Sequence, residues 1–283
     1  MTLASCDSRK TAGENPFFTQ WDTPHGVPPF DKILPEHFMP AFERGMSLHE
    51  AEIDAITSNK DEATFENTIL AYDNAGQMLA QTELVFGMLC AAETNDRMQA
   101  LQEQAMPLLA AHRDKIRLDD KLFVRVKEVY DRRAALGLDA EQMRLLQKTY
   151  DSFVRAGALL GAEQKARLKE INGQLSLTAV KFGNNILAEN NNFVLELKSD
   201  ELDGLPAGIR DAAREKAQQM GKGDKWVFTL HKPSLIPLLT YSTRRDLREK
   251  IYKAYLNRCN NGDEYDNKQL INDFIRLRTE KAH

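Results

Sequence analysis

Residues 64–89, TFENTILAYDNAGQMLAQTELVFGML, contain the apolar pattern that decides the fold. Apolar or small side chains return there in alternating steps of four and three, which is the spacing of one helix face. A seven-residue rhythm kept over so many turns predicts a helix that packs along its neighbours at a shallow angle. The stripe consists of Phe65, Ile69, Tyr72, Ala75, Leu79, Thr82, Phe86 and Leu89.

Helical patterns extend to both sides of this stripe. After Pro35, apolar side chains from Phe38 to Ile56 share one helix face. Further helices are predicted to begin at Asn95, Asp119 and Asp139, because these side chains accept hydrogen bonds from the free amides of a first turn. A glutamine stands three residues after Asp139 and completes a capping box. A sixth helix is predicted over residues 161–188, ended by three consecutive asparagines at 190–192.

The character of the chain changes after residue 190. Residues 193–197 (FVLEL) and 226–230 (WVFTL) predict two short strands that pair antiparallel around a helix over 206–220. Helices are expected again over 235–240, 243–258 and from 266 onward. We therefore expect a mainly α fold with a small antiparallel two-stranded element near 193–231. The predicted divisions are a disordered tether over 1–14, a helical lobe over 15–190, and a third segment over 191–283.

Composition excludes several classes of protein. The 283 residues are 42% hydrophobic and 28% charged, as in ordinary folded domains. The formal net charge is −4 without a basic stripe, so we expect no nucleic-acid partner. No apolar run reaches 18 residues, so no transmembrane segment is predicted.

The first residues suggest a lipid anchor. Leu3-Ala4-Ser5-Cys6 matches the small-residue pattern before the lipid-modified cysteine of bacterial lipoproteins, and a polar stretch follows. The charged start and apolar core of a signal peptide are not in the sequence, and a chance match of four residues is the alternative interpretation. Lipidation of Cys6 would place the protein at the cell envelope or in the periplasm, and the alternative is the cytoplasm.

No metal or catalytic residue is predicted within the chain. A helical zinc site needs two histidines four residues apart, and none of the six histidines has that spacing. His49 and Glu50 begin the motif H-E-x-x-H, but its closing position is Ile53, so His49 is interpreted as a core or rim histidine. Glu280 and His283 have the spacing of one di-iron ligand pair, and such a site needs two pairs and further carboxylates.

The cysteines and one glycine-rich segment receive structural interpretations. Cys6, Cys90 and Cys259 form no disulfide framework and no C-x-x-C pair. Cys90 and Cys259 fall in predicted helices as small buried side chains, and whether they meet in space is open. Residues 221–224 (GKGD) lack the spacing of a phosphate-binding loop and predict a tight turn.

An ordered set of short segments carries a family resemblance from about residue 15 to residue 283. Together they resemble the N-terminal part of the thimet-oligopeptidase-like zinc peptidases, and within them the bacterial peptidyl-dipeptidases. The segments are 15–19 (NPFFT), 28–33 (PPFDKI), 35–43 (PEHFMPAFE), 64–69 (TFENTI), 94–96 (TND), 107–114 (PLLAAHRD), 137–142 (GLDAEQ), 153–157 (FVRAG), 168–172 (LKEIN), 181–183 (KFG), 247–250 (LREK) and 266–268 (DNK).

The resemblance implies a helical, two-lobed enzyme with a deep channel and a zinc ion held by H-E-x-x-H and a later glutamate. The motif glutamate would position water for attack on a peptide, and dipeptides would leave the C-terminus of short peptide substrates. None of those catalytic residues has a counterpart here, so we expect the N-terminal lobe of a longer enzyme, without zinc and inactive alone. A last helix that still builds an apolar stripe agrees with this expectation.

Two other interpretations stay open at this point. The chain could be a stand-alone helical lipoprotein module that binds peptides or a partner, which would account for the missing motif. A nucleic-acid adaptor is disfavoured by the acidic balance.

Overall fold

The computed structural model describes residues 14–283, so Cys6 and nearly all of the predicted tether lie outside the described residues. The described chain is mainly helical with one small sheet, which confirms the predicted fold class. The elements are α1 (Phe38–Ser58), α2 (Ala71–Asn74), α3 (Gln77–Ala92), α4 (Asp96–Arg117), α5 (Asp120–Asp131), α6 (Ala140–Arg155), α7 (Ala162–Asn192), β1 (Leu195–Leu197), α8 (Ala207–Gln219), β2 (Trp226–Phe228), α9 (Lys232–Tyr241), α10 (Arg245–Leu256) and α11 (Lys268–Ala282).

The chain divides into two compact units. The N-terminal unit ends at Leu177 and the C-terminal unit comprises Thr178–His283, so the division falls within α7. The sequence analysis divides the chain near residue 190, where helix changes to strand. The structure divides it at residues 177 and 178, where one compact group of contacts ends and the next begins. None of the helices within residues 14–283 combines the length and apolarity needed to cross a membrane.

The predicted helix starts are confirmed as capped termini. The Asn95 side chain accepts from the amide of Met98 at 3.1 Å, and Asp119 accepts from the third residue of its helix at 2.8 Å. Asp139 and Gln142 exchange both bonds of a capping box, at 2.8 and 3.1 Å. Each cap satisfies amides that the helix itself leaves without partners.

The prediction of one continuous helix over residues 64–89 is wrong, because the backbone breaks within this range. Phe65–Leu70 forms a π-helical turn that continues into α2, and the chain then breaks at Gly76 before α3. Gly76 has φ +76°, a conformation that side chains rarely adopt. Its amide donates to the Glu52 carboxylate at 2.7 Å. A Cβ at this position would lie 2.9 Å from Nδ1 of His49. The apolar rhythm therefore predicted the inward face but not the continuity of the backbone.

The N-terminal unit contains two separate hydrophobic cores. The first core includes Phe38, Phe42 and Phe86, whose ring centroids lie 4.9 to 6.3 Å apart. The second core is built around Leu146 and Phe153 of α6. The main further members of the first core are Phe17, Ile33, Leu79, Val85, Met98 and Leu109, and those of the second are Ile53, Ile56, Phe65, Ile69, Ile116, Leu122 and Val126.

The C-terminal unit has a core around its sheet. β1 and β2 pair antiparallel with Leu195 opposite Phe228, which confirms the predicted pairing. Helices α8, α9 and α10 contribute apolar side chains to the same core. The sixth helix ends at the three asparagines as predicted; they form the last turn of α7, which therefore reaches Asn192. The expectation that Cys259 lies in a helix is wrong, since it follows the end of α10 with φ 56°.

Candidate functional site

A polar layer of His49, His112 and Gly76 lies between the two cores of the N-terminal unit. Nδ1 of His49 and Nε2 of His112 are 3.0 Å apart, and the ring centroids are 5.0 Å apart. His112 is almost fully buried, with 3% of its side chain exposed. Its other nitrogen, Nδ1, lies 3.5 Å from a Glu50 carboxylate oxygen, and the second oxygen of Glu50 pairs with Lys115 at 2.8 Å.

Burial lowers the pKa of both imidazoles, and each would repel a second positive charge on the other. Both rings are therefore neutral at neutral pH. The Glu50 carboxylate beside Nδ1 of His112 favours a proton on that nitrogen, because a lone pair there would face a negative charge. Nε2 of His112 then accepts, and Nδ1 of His49 donates. The pair thus has a defined direction, in which His49 donates and His112 accepts.

Sequence reasoning placed His49 correctly on an apolar helix face but missed its partner. Nothing near His49 in the sequence points to His112, which lies 63 residues further on. The available signal was that each histidine interrupts an otherwise apolar stripe, and two such interruptions on neighbouring helices can satisfy each other. This pairing occupies His49 in the structure.

Within residues 14–283, no group of three or more His, Cys, Asp or Glu side chains is arranged to hold a metal ion. Glu280 lies in the last turn of α11, and His283 follows the end of that helix. The GKGD segment forms a turn with positive φ at Gly221 and Gly223, as predicted.

The two cysteine thiols in the described part of the chain are unreactive at neutral pH. Cys90 and Cys259 are both free. Burial raises the pKa of the Cys90 thiol to about 11. Burial, together with the Glu189 carboxylate, raises the pKa of the Cys259 thiol to about 12. A thiol that stays protonated at neutral pH is a weak nucleophile, so neither cysteine has the properties of a catalytic residue.

An apolar groove lies between α7 and α11 in the C-terminal unit. It measures about 330 Å³, and we call it the α7–α11 groove. Of the predicted stripe on α11, Leu277 is buried while Leu270 and Phe274 are half-buried. Ile271 and Ile275 expose 44% and 57% of their surface. The lining residues are Thr178, Ala179, Phe182, Leu270, Ile271, Phe274 and Ile275.

Comparison with known proteins gives a consistent set of relatives. The chain is 36% identical over 269 residues to a dipeptidyl carboxypeptidase of Escherichia coli K12, an alignment that covers 95% of this chain and 40% of the relative. It is 26% identical to oligopeptidase A of the same organism over 92% of this chain and 39% of that protein. A probable cytosolic oligopeptidase A of Arabidopsis thaliana is 25% identical over 97% of this chain and 39% of that protein.

This chain matches the N-terminal part of the thimet-oligopeptidase-like family. It spans about two fifths of the length of the curated relatives that it matches. No family model matches it.

Several segments that carry the resemblance to thimet-oligopeptidase-like proteins form structural joints. Asn15, in the NPFFT segment, donates from its side chain to the carbonyl of His37 at 2.8 Å, which joins it to the PEHFMPAFE segment. Thr64 and Asn67, in TFENTI, exchange the two bonds of a capping box, and the same Asn67 accepts from the buried Arg125.

Another joint links two distant segments of the C-terminal unit. The buried Asn267, in the DNK segment, accepts from the side chain of Asn185 at 2.8 Å and donates to the carbonyl of Phe182 at 3.2 Å. Phe182 belongs to the KFG segment, so this bond ties the start of α11 to α7. The bonds of these segments therefore fix the positions of helices within each unit.

Proposed function

We propose that this chain forms the N-terminal lobe of a zinc-dependent peptidyl-dipeptidase that releases dipeptides from the C-terminus of short peptides. The observation that carries the proposal is the 36% identity to a dipeptidyl carboxypeptidase over 95% of the chain. Identity to oligopeptidase A is lower, at 26%, which favours dipeptide release over the activity of that relative.

In this proposal the chain supplies a folded wall and not the reacting groups. The zinc ion and the water that it activates would be held by residues of the longer protein outside these 283 residues. The chain's own histidines and thiols have other roles: His49 and His112 bond each other, and Cys90 stays protonated. The chain is therefore proposed to be inactive alone.

The α7–α11 groove supports a role as one part of a larger protein. Exposed apolar side chains grouped on one face mark surfaces that another surface covers. Ile271 and Ile275 are such side chains, and Phe182 of α7 lies beside them. The remaining length of the enzyme is the proposed cover.

The test compares the 283-residue chain with the longer protein on an N-acetylated tetrapeptide, with zinc added and with a chelator. Mass spectrometry identifies the products. We expect the longer protein to release the C-terminal dipeptide only with zinc, and the isolated chain to release nothing. Dipeptide release by the isolated chain would contradict the proposed inactivity. Products other than C-terminal dipeptides from the longer protein would contradict the proposed specificity.

We further propose that the protein is attached to the cell envelope through a lipid on Cys6. The support is the Leu3-Ala4-Ser5-Cys6 pattern and the polar stretch after it. Labelled palmitate should enter the full-length product of the gene in a bacterial host and should not enter its Cys6→Ala variant. Absence of label in both proteins would exclude the anchor and favour the cytoplasm.

A further inference from the structure

Three apolar stripes pass from one core of the N-terminal unit to the other, and each is interrupted at the same level. On α1, His49 separates Phe42 of the first core from Ile53 of the second. On α4, His112 separates Leu109 from Ile116 in the same way. Along the broken stripe, Gly76 separates Ala75 from Leu79. The layer is therefore a level at which polar groups of all three elements lie together, with the two imidazoles in contact and the Gly76 turn beside them.

The contact between the imidazoles depends on their protonation. A nitrogen–nitrogen distance of 3.0 Å needs one facing nitrogen to carry a proton and the other to carry none. One added proton leaves this hydrogen bond in place, because it goes to Nε2 of His49, the one nitrogen of the pair that neither carries a proton nor accepts the facing bond. When both rings are charged, both facing nitrogens carry protons, and the bond is replaced by repulsion between two cations in a buried place.

We propose that the His49–His112 layer is an acid-sensitive latch that couples the two cores of the N-terminal unit at neutral pH and releases them in mild acid. Release acts first on the Gly76 turn. The bare Cα of Gly76 lies against the His49 ring, and its amide is held by Glu52 from the next turn of the same helix. A movement of the His49 ring therefore changes the contact that holds the break between α2 and α3.

Charged groups of both signs surround the layer, and they have opposite effects on the pKa values of the two histidines. Glu50 and Glu52 face it from α1, and Glu83 faces it from α3; all three favour protonated imidazoles. Lys115 of α4 opposes protonation of His112, and the neighbouring Arg113 is paired with Glu83 at 3.0 Å. The broken stripe meets the layer through the uncharged Ala75–Gly76 turn. Burial outweighs the carboxylates, since the pKa of both rings is lowered.

The sign of the pH dependence follows from this shift. In the unfolded chain each imidazole takes up its proton near the ordinary value of 6.5. The folded chain binds these protons only at lower pH, so the unfolded state binds more protons in the interval between the two values. Stability contributed by the layer is therefore complete above pH 6.5, falls as the pH drops through that interval, and then levels off.

Two surface variants test the latch with opposite expected outcomes. Glu50→Gln removes a charge that favours the protonated pair but keeps an oxygen acceptor, so the NMR midpoints of both histidines should move to lower pH. Lys115→Met removes an opposing charge, so the midpoint of His112 should move to higher pH. His231→Gln, on an exposed position of the C-terminal unit, identifies one other histidine signal and should leave both midpoints unchanged.

Hydrogen exchange at the Gly76 amide distinguishes the latch from a histidine pair with a structural role alone. In that second case, protection of this amide would not depend on histidine protonation. Protection of the Gly76 amide should fall below pH 6.5 along the histidine titration, and the midpoint of this fall should move with the histidine midpoints in the two variants. Nitrogen-15 spectra at neutral pH should show both rings protonated at Nδ1. Independent titration of both rings near pH 6.5, or Gly76 protection that ignores the variants, would overturn the proposal.

Discussion

At the scale of single residues, Gly76 determines where the longest apolar stripe breaks. A Cβ there requires an L-residue at φ +76° and places that atom 2.9 Å from the His49 ring. We expect Gly76→Ala to lower the free energy of unfolding by about 1–2 kcal/mol from the left-handed conformation, with the ring contact adding to this. Urea unfolding followed by circular dichroism measures the change.

Gly87 is the matched control for this substitution. It is exposed in the middle of α3, and a Cβ there meets nothing within 4 Å. Gly87→Ala should therefore stabilise the chain by about 0.5–1 kcal/mol, because alanine fits a helix better than glycine. Equal effects of the two substitutions would show that the Gly76 turn is not a constrained break.

Residue-level reasoning succeeded where the partner is local in sequence. Asn95, Asp119 and Asp139 were predicted as caps because the amides that they accept from lie three residues away. It failed for His49 and His112, which stand 63 positions apart and meet only after α1 and α4 pack. A single sequence shows that each histidine interrupts a stripe, but the pairing depends on the relative rotation of two helices.

At the scale of elements, the capping box of α6 provides the sharpest test. Asp139 accepts from the amide of Gln142, and the Gln142 side chain accepts from the amide of Asp139. Asp139→Ala removes one of these bonds, and we expect a loss of about 1 kcal/mol because α6 carries Leu146 and Phe153 into the second core. Asp139→Ser retains an acceptor and should cost only a fraction of this in thermal unfolding. A similar loss in both variants would assign the effect to charge and not to capping.

The elements also show what an apolar rhythm measures. The stripe residues between Phe65 and Leu89 are buried or half-buried as predicted, yet the backbone that carries them is a π-turn, a short helix, a glycine break and a second helix. The break lets one stripe serve two cores, since Phe65 and Ile69 belong to the second core while Leu79 and Phe86 belong to the first. The spacing of apolar residues records only which side of the chain faces the interior. That side is the same before and after the break at Gly76. Backbone continuity depends on Gly76 and its tertiary contacts, which the rhythm does not contain.

At the scale of the whole molecule, the family was predicted from the order of short segments, none of which is catalytic. The structure gives a physical reason for their specificity. Asn15, Asn67 and Asn267 each bond groups that are distant in sequence or cap a helix, so replacing any of them would leave polar groups without partners. The polar layer and the α7–α11 groove were not predicted in full, because both depend on helix packing.

Two positions on α11, one exposed beside the α7–α11 groove and one buried, should respond differently to the same substitution. Ile275 is 57% exposed, whereas Leu277 is 2% exposed. Ile275→Asp should leave the unfolding free energy of the isolated chain nearly unchanged and reduce its binding of a hydrophobic dye. Leu277→Asp should destabilise the same chain by about 2–5 kcal/mol or more, because it removes a buried apolar side chain and adds a carboxylate.

In the longer protein the two variants should behave alike. If the remaining length of the enzyme covers the groove, Ile275→Asp places a carboxylate in a buried interface there and lowers both thermal stability and peptidase activity. Scanning calorimetry and dipeptide release measure these two effects on the same samples. Full stability of the longer Ile275→Asp protein would show that the groove stays open, and the search for its occupant would then turn to a second copy of the chain or another protein.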